Sequence, residues 1–208
     1  MARYTGPSCR LCRREMMKLF LKGKKCYTDK CVLNKRQFAP GQHGQRRSKA
    51  SNYAQQLREK QKAKRIYGVL EKQFRKYFKK AATSKGNTGE ILLQILERRL
   101  DNVIFNLHMA ASRTQARQIV RHGHILVNER KVNIPSYLIK ANDVISVKSN
   151  EKKRKGFKAS VEACKDRGIP DWLELDEEAL KGKVIHIPSR GDIQLPIQEH
   201  LIVELYSK

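Results

Sequence analysis

Four of the five cysteines lie in two closely spaced pairs near the N-terminus. Cys9 and Cys12 form a C-x2-C pair, and Cys26 and Cys31 form a C-x4-C pair. Each short spacing lets one local turn direct two sulfur atoms toward a common point, and the connecting loop can bring the pairs together as a tetrahedron. Four thiolates leave no open coordination position, so the spacing predicts one structural Zn²⁺.

Other uses of these cysteines fit the sequence less well. An iron–sulfur cluster also takes four cysteines, but the segment is polar and solvated. Disulfides need an oxidising compartment. The first residues contain no apolar signal segment, and no stretch approaches the roughly 18 apolar residues of a membrane span, so we expect a cytoplasmic protein with reduced thiols. The remaining cysteine, Cys164, is interpreted as a small buried apolar residue.

The charge is large and unevenly distributed. The 208 residues carry 45 Lys and Arg against 20 Asp and Glu, a net charge of +25. Residues 1–80 contain 24 of the basic residues and only 4 acidic ones. Such a field implies a polyanionic partner, and we expect the N-terminal two-fifths to make most of the contact. Nearby Lys and Arg should favour the metal-binding thiolate form of the cysteines, and metal binding would supply folding free energy that so polar a segment lacks.

Helix signals dominate the first half of the chain. Residues 32–50 lack periodicity and predict an extended arm. Ser51 and Gly68 delimit a helix over about 52–67, whose cationic surface should need a phosphate backbone to relieve its self-repulsion. A second helix over about 70–82 carries core-facing aromatic residues, and Asn87 begins a third that continues through residue 109.

The next helix carries the clearest candidate binding surface. It begins at Ser112 and ends at Gly123, and at about 100° per residue Arg113, Arg117 and Arg121 fall within one sector of about 80°. The planar fork of arginine can bind two phosphate oxygens at once, so this stripe predicts a phosphate-binding face. A solvent-facing stripe without a ligand is the alternative.

Beyond Gly123, apolar residues recur at every second position instead of at helical spacing. This period predicts a hairpin that turns near Asn128, followed by a further strand after a turn at 141–143. Residues 151–168 predict a basic linker that leads into a helix. The acidic cluster at Asp176 predicts the start of a further helix, and residues 183–208 predict two more strands around a loop. No phosphate-binding glycine loop, dinucleotide fingerprint or nucleophile elbow is present, so the sequence does not indicate an enzyme.

Several segments resemble one family. The stretches "RLDNVIFNL" and "SRTQARQIVRHGHILVNERKVNIPSY" resemble the small RNA-binding module named after ribosomal protein S4, in which two helices and a hairpin present a basic face to folded RNA. "RYTGPSCRLCRRE", "APGQHGQ", "YAQQLREKQKAKRIYG" and "LIVELYS" extend the resemblance over nearly the whole chain, to the bacterial small-subunit ribosomal proteins. Many members lack the four cysteines, and Asn142 stands where the family usually carries Gly; Asn tolerates the left-handed backbone of that turn.

The resemblance implies a structural constituent of the small ribosomal subunit. It implies binding to the 5′ domain of small-subunit ribosomal RNA early in assembly, contact with neighbouring small-subunit proteins, and, in some relatives, repression of the protein's own messenger RNA. Two alternatives remain: the accessory part of an RNA-modifying enzyme and a zinc-dependent DNA-binding regulator. No membrane or small-molecule substrate is expected.

The predicted fold class is α+β. A zinc-bound basic region and arm (1–50) and a helical domain (51–88) would precede a module of two helices packed on a small antiparallel sheet (89–163). The C-terminal helix and strands (164–208) would either join that sheet or complete the helical domain. Predicted RNA contacts combine basic residues with polar and aromatic ones: Arg3, Tyr4, Arg10, Arg13, Arg14, Lys22, Arg36, Gln42, His43, Arg46, Arg47, Tyr53, Arg58, Lys60, Lys62, Arg65, Ser112, Arg113, Gln115, Arg117, Gln118, Arg121, His122 and His124.

Overall fold

The structure, a computed structural model, describes residues 4–45, 49, 51–148 and 151–207. Its helices are α1 (Ser8–Glu15), α2 (Val32–Lys35), α3 (Asn52–Ile66), α4 (Glu71–Thr83), α5 (Thr88–Glu97), α6 (Leu100–Asn106), α7 (Arg113–Arg121), α8 (Glu151–Glu162) and α9 (Glu199–Tyr206). Its strands are β1 (Ile125–Val127), β2 (Arg130–Lys131), β3 (Val144–Val147), β4 (Leu173–Asp176) and β5 (Lys181–Val184). None of the helices in the described residues is long and apolar enough to cross a membrane.

The chain forms two compact units. The first contains Met1–Leu92 together with Leu195–Lys208, and the second contains Leu93–Gln194. A helical domain and a second domain built on a small antiparallel sheet fit the predicted α+β class.

Helix α3 starts and stops where its flanking residues predict. The Ser51 hydroxyl accepts a hydrogen bond from the Ala54 amide at 3.2 Å, and Gly68 has a φ of +61°, a left-handed backbone that glycine adopts without steric cost. Helix α4 buries Phe74 and Tyr77, as its apolar period predicts. Both helices are therefore confirmed.

Helix α9 packs against α3 and replaces the last strand predicted from the sequence. Gln56 on α3 donates to the Glu204 carboxylate at 2.9 Å, and Tyr206 stacks on Phe78 with 4.4 Å between ring centroids. The strand prediction is wrong. The short apolar run around Ile202 fits both the two-residue period of a strand and the 3.6-residue period of a helix, and burial against α3 favours the helix.

The single long helix predicted through residue 109 is also wrong, because it breaks at Arg98–Arg99. Arg99 has an extended backbone that forms a bridge with Leu138. The Asn102 amide donates to the Glu97 carbonyl at 3.0 Å and so satisfies the end of α5. The break is imposed by the contact with Leu138, which lies 39 residues away in the sequence. No glycine or proline stands at the break, so the local sequence does not signal it.

The second unit contains a five-stranded antiparallel sheet, in the order β2-β1-β3-β5-β4 within the described residues. Its buried face packs on α6, α7 and α8 through residues such as Val103, Val120, Ile145 and Phe157. The β1–β2 turn at Asn128 and the left-handed backbone of Asn142, with a φ of +65°, agree with the sequence.

Two local predictions differ from the structure. The acidic cluster does not start a helix: Asp176 accepts hydrogen bonds from the Glu178 and Ala179 amides, which closes the turn between β4 and β5. Aspartate performs this role in turns and in helix caps alike, so the sequence signal is shared. The described part of the predicted arm contains the short helix α2 and is not simply extended.

One carboxylate connects three helices of the first unit. Glu71 on α4 lies 2.8 Å from Lys60 and 2.9 Å from Lys64, both on α3, and accepts a hydrogen bond from the Tyr206 hydroxyl on α9 at 3.0 Å. Partial burial works against ionisation, but the hydrogen bonds from the two lysines outweigh it and lower the pKa of Glu71 to about 2.

We therefore predict that Glu71→Gln lowers the free energy of unfolding near neutral pH by about 1 kcal/mol, the upper range for solvent-screened ion pairs. Because the folded-state pKa is depressed from 4.5, the stabilisation is present above that pH and is lost as the pH falls toward about 2. Urea unfolding of the variant and wild type from pH 7 to pH 3 measures this convergence. Asp29→Asn, a change at an exposed carboxylate, is the control, and a pH-independent difference for Glu71→Gln would contradict the assignment.

Candidate nucleic-acid interface

The cationic residues of α3 are paired with carboxylates of the same unit. Arg58 lies 3.2 Å from Glu15, and Arg65 contacts the same carboxylate oxygen. Burial raises the pKa of Glu15, whose side chain is 1% exposed, although both guanidinium groups favour its ionised form. Lys62 pairs with Glu59 at 2.5 Å. The protein's own carboxylates thus relieve the self-repulsion for which a phosphate partner was expected.

The arginine stripe on α7 contains three different environments. Arg113 donates to the Asn102 side chain at 2.7 Å, and its guanidinium lies 4.3 Å from the centre of the Phe105 ring. Arg117 lies 3.4 Å from the Asp101 carboxylate, which Arg99 also binds in bidentate fashion. Arg121, at the end of the helix, is exposed. Two of the three arginines therefore connect α7 to α6.

The start of α7 is built by its own polar residues. The Ser112 hydroxyl accepts a hydrogen bond from the Gln115 amide at 3.3 Å, and the Gln115 side chain accepts one from the Ala111 amide at 3.0 Å. Ser112 is 8% exposed, so its structural role as a cap accounts for its presence. Gln115 keeps an exposed surface.

The end of α7 presents the exposed basic surface of this module. Gln118, Arg121 and His122 are exposed there, and the His124 ring lies 5.9 Å from that of His122. Lys131 extends from β2 across Gly123, where an added Cβ would come within 2.2 Å of the lysine chain. We call Gln118, Arg121, His122 and Lys131 the α7-end patch. Sequence reasoning missed Lys131, because only the hairpin pairing brings it to the helix end.

The predicted contacts in the N-terminal region fall into two groups. Arg13 is half-buried: it donates to the Phe38 and Ala39 carbonyls at 2.9 and 3.2 Å and lies over the Phe38 ring, so it holds residues 38 and 39 against α1. The others that the structure describes are exposed: Tyr4, Arg10, Arg14, Lys22, Arg36, Gln42, His43 and Tyr53. Arg3, Arg46 and Arg47 lie outside the described residues.

The four N-terminal cysteines occupy neighbouring elements. Cys9 and Cys12 lie one turn apart on α1, which packs against α2, and Cys31 directly precedes α2. Cys26 ends a short 3-10 turn, and its sulfur accepts a hydrogen bond from the Lys22 amide at 3.3 Å. Cys164 is buried in the other unit.

Burial, rather than nearby cations, governs the ionisation of the inner two thiols. It raises the pKa of Cys12 and of Cys26, and repulsion from the neighbouring cysteines adds to the effect. Lysine and arginine are not among the main causes of either shift, and the expectation that they favour the metal-binding thiolates stays a prediction. Within the ranges that the structure describes, no three or more His, Cys, Asp or Glu side chains are arranged as a metal-binding group.

Each of the two units contains a segment that matches a known protein family. Residues 3–97 match the family model described as "Ribosomal protein S4/S9 N-terminal domain", and residues 98–145 match the "S4 domain". The second match covers α6, α7 and the first two strands, together with the α7-end patch.

Relatives align over the full length. Proteins named "Small ribosomal subunit protein uS4" are 62% identical in Thermoanaerobacter sp. (strain X514), 61% in Geobacter sulfurreducens and 59% in Halothermothrix orenii, each over 208 residues and all of both chains. The chain therefore belongs to the uS4 family of small ribosomal subunit proteins.

The different environments on α7 lead to a stability prediction. Arg117→Ala removes one of two guanidinium partners from the buried Asp101 and should lower the free energy of unfolding by about 1–3 kcal/mol. Arg121→Ala removes an exposed side chain and should change it by less than about 0.5 kcal/mol. Urea unfolding of both variants measures the contrast; equal stabilities would show that the Arg117–Asp101 contact does not stabilise the fold.

Proposed function

We propose that the protein is a structural RNA-binding constituent of the small ribosomal subunit. It binds the 5′ domain of small-subunit ribosomal RNA and, through that contact, helps to nucleate assembly beside neighbouring small-subunit proteins. The observation that carries this proposal is the exposed α7-end patch on an S4 domain, in a chain whose full-length relatives are named as proteins of that subunit.

The charges support a partner recognised mainly by its phosphates and its shape. The grooves of A-form RNA expose few base edges to side chains, so a protein that binds folded RNA contacts chiefly phosphates and sugar hydroxyls. Arg121, His122 and Lys131 lie together on the α7-end patch, and Arg10, Arg14 and Arg36 are exposed in the first unit. Both units therefore offer exposed basic side chains in the part of the chain that the structure describes.

We predict that the wild-type protein prefers ribosomal RNA. Labelled 5′-domain RNA is bound at near-physiological salt and challenged with excess transfer RNA or duplex DNA. A preference of a hundredfold or more, about 2.7 kcal/mol, supports specific ribosomal RNA binding. Equal competition by all three polyanions would leave only generic charge attraction and would contradict the proposal, while preference for duplex DNA would favour a DNA-binding regulator.

Variants in the same assay locate the contact. Replacing Arg121, His122 and Lys131 together by Ala should weaken binding and make it less dependent on salt, because each lost phosphate contact reduces the salt slope by nearly one. Lys181→Ala with Lys183→Ala is the charge-matched control, since these exposed lysines lie opposite Asp176 and Glu174 on β4. The leader of the protein's own messenger RNA, added as a further competitor, tests messenger recognition: competition as strong as that of unlabelled 5′-domain RNA would support repression.

We also propose one structural Zn²⁺ held by Cys9, Cys12, Cys26 and Cys31. Four cysteine thiols are the donor type that structural zinc prefers, and Cys12 and Cys26 lie close enough to the other cysteines to feel their charge. An amide-to-sulfur hydrogen bond of the kind made by Lys22 and Cys26 stabilises a thiolate. The metal itself would draw the four sulfur atoms together, since the described side chains are not arranged as a metal-binding group without it. When bound, the metal would act only as a cross-link between α1, the 3-10 turn and the start of α2. The exposed N-terminal cations would then be fixed in position for RNA.

We therefore predict that wild-type protein purified under reducing conditions contains about one zinc per chain by atomic emission. Cys9→Ser should lose the metal and expose the N-terminal segment to protease, while the second unit stays folded. Cys164→Ser is the matched control and should keep it, because this cysteine lies in the other unit. Equal zinc contents in both variants would exclude Cys9 as a ligand.

A further inference from the structure

A pair of aromatic side chains lies on the exposed surface of the cysteine-containing region. Phe20 and Tyr27 stack with 4.8 Å between ring centroids and 27° between ring planes. Tyr27 is 51% exposed although one ring face is covered by Phe20. The uncovered face is therefore open to solvent.

Nothing in the described part of the chain uses the polar end of Tyr27. Its amide donates to the Lys24 carbonyl at 3.0 Å, but its hydroxyl forms no hydrogen bond to any described residue. A tyrosine retained for packing is normally more buried, and one retained for its hydroxyl normally has a partner. Tyr27 meets neither expectation.

The backbone fixes the pair at some cost. Phe20 has a φ of +51°, in the left-handed region that a bulky side chain rarely adopts. Tyr27 directly follows the 3-10 turn Gly23–Cys26. The two rings are thus held by local backbone geometry rather than by a large core.

Tyr27 lies in a segment of the sequence that is rich in lysine. Lys22, Lys24, Lys25 and Lys30 are all exposed. An exposed aromatic face in a lysine-rich segment matches the two needs of an unpaired nucleotide, since the ring can stack on the base and the ammonium groups can attract its phosphate. An acidic or purely apolar partner would not use both features.

We propose that the Phe20–Tyr27 pair is a stacking platform for one unpaired nucleobase of the bound RNA. This inference rests on the proposed function and adds a type of contact that paired A-form RNA cannot provide. Tyr27 supplies the face that receives the base, and Phe20 acts as a positioning residue that supports the ring from behind.

The test uses full-length protein and 5′-domain ribosomal RNA. Tyr27→Leu keeps an apolar side chain but removes the aromatic face, and it should weaken binding roughly five- to 150-fold, the usual range for one stacked base. Because no phosphate contact is lost, the slope of log affinity against log salt should not change. Tyr27→Phe and Tyr27→Trp preserve a stacking surface and should bind within about twofold of wild type or more tightly.

Two control variants and one spectroscopic measurement make each outcome decisive. Lys24→Ala with Lys25→Ala should reduce the salt slope, the opposite signature. Tyr137→Leu removes a partly exposed tyrosine of the second unit and should leave affinity unchanged. The indole introduced by Tyr27→Trp should show fluorescence quenching on RNA binding beyond that of the wild type, whose only Trp, Trp172, is buried.

The platform is overturned if Tyr27→Leu binds as tightly as wild type. It is also overturned if Tyr27→Phe and Tyr27→Trp lose as much affinity as Tyr27→Leu, since the ring would then be needed only for local structure. Either result leaves the proposed function intact, provided that wild type still prefers ribosomal RNA. Loss of that preference in wild type is a separate result and would overturn the function and the platform together.

Discussion

The helical unit depends on pairing many cations with very few carboxylates. Residues 1–80 contain four acidic residues, and three of them, Glu15, Glu59 and Glu71, form ion pairs with α3. Each of these carboxylates also connects α3 to another part of the unit: to α1 through Glu15, to α4 and α9 through Glu71, and to the Gln198 amide through Glu59. An exposed ion pair stabilises little by itself, but these pairs let helices with like charge pack together.

In the second unit, polar residues of α6 bind most of the arginines that lie in the stripe on α7. Asp101 is buried and binds Arg99 and Arg117, while Asn102 binds Arg113 and also closes the end of α5. Two adjacent residues of α6 therefore organise most of the arginine stripe, and the helix end keeps the exposed cations. A helical wheel groups the three arginines because it shows only the direction of each side chain around α7. Whether an arginine can bind a phosphate depends on its contacts with the neighbouring helix α6.

Sequence reasoning succeeded where the determining signal is local. The cap at Ser51, the turn at Asn128 and the left-handed Asn142 depend on a few adjacent residues, and all three are present. It failed where distant residues decide the structure. The break at Arg99 depends on Leu138, the helical state of α9 depends on α3, and the contribution of Lys131 to the α7-end patch depends on hairpin pairing. The site prediction ranked residues by charge and could not foresee which charges are paired within the fold.

The position of α9 has a consequence for the order of events during synthesis. The first unit begins at the N-terminus but includes the segment from Leu195 onward, and α9 supplies the Tyr206 and Glu204 contacts to α4 and α3. A ribosome makes that segment after all the residues of the second unit. The second unit, continuous from Leu93 to Gln194, therefore has all its residues before the first unit does, which reverses the usual N-terminal-first order of domain completion. Until α9 has been made, the side of α3 that packs on it remains uncovered.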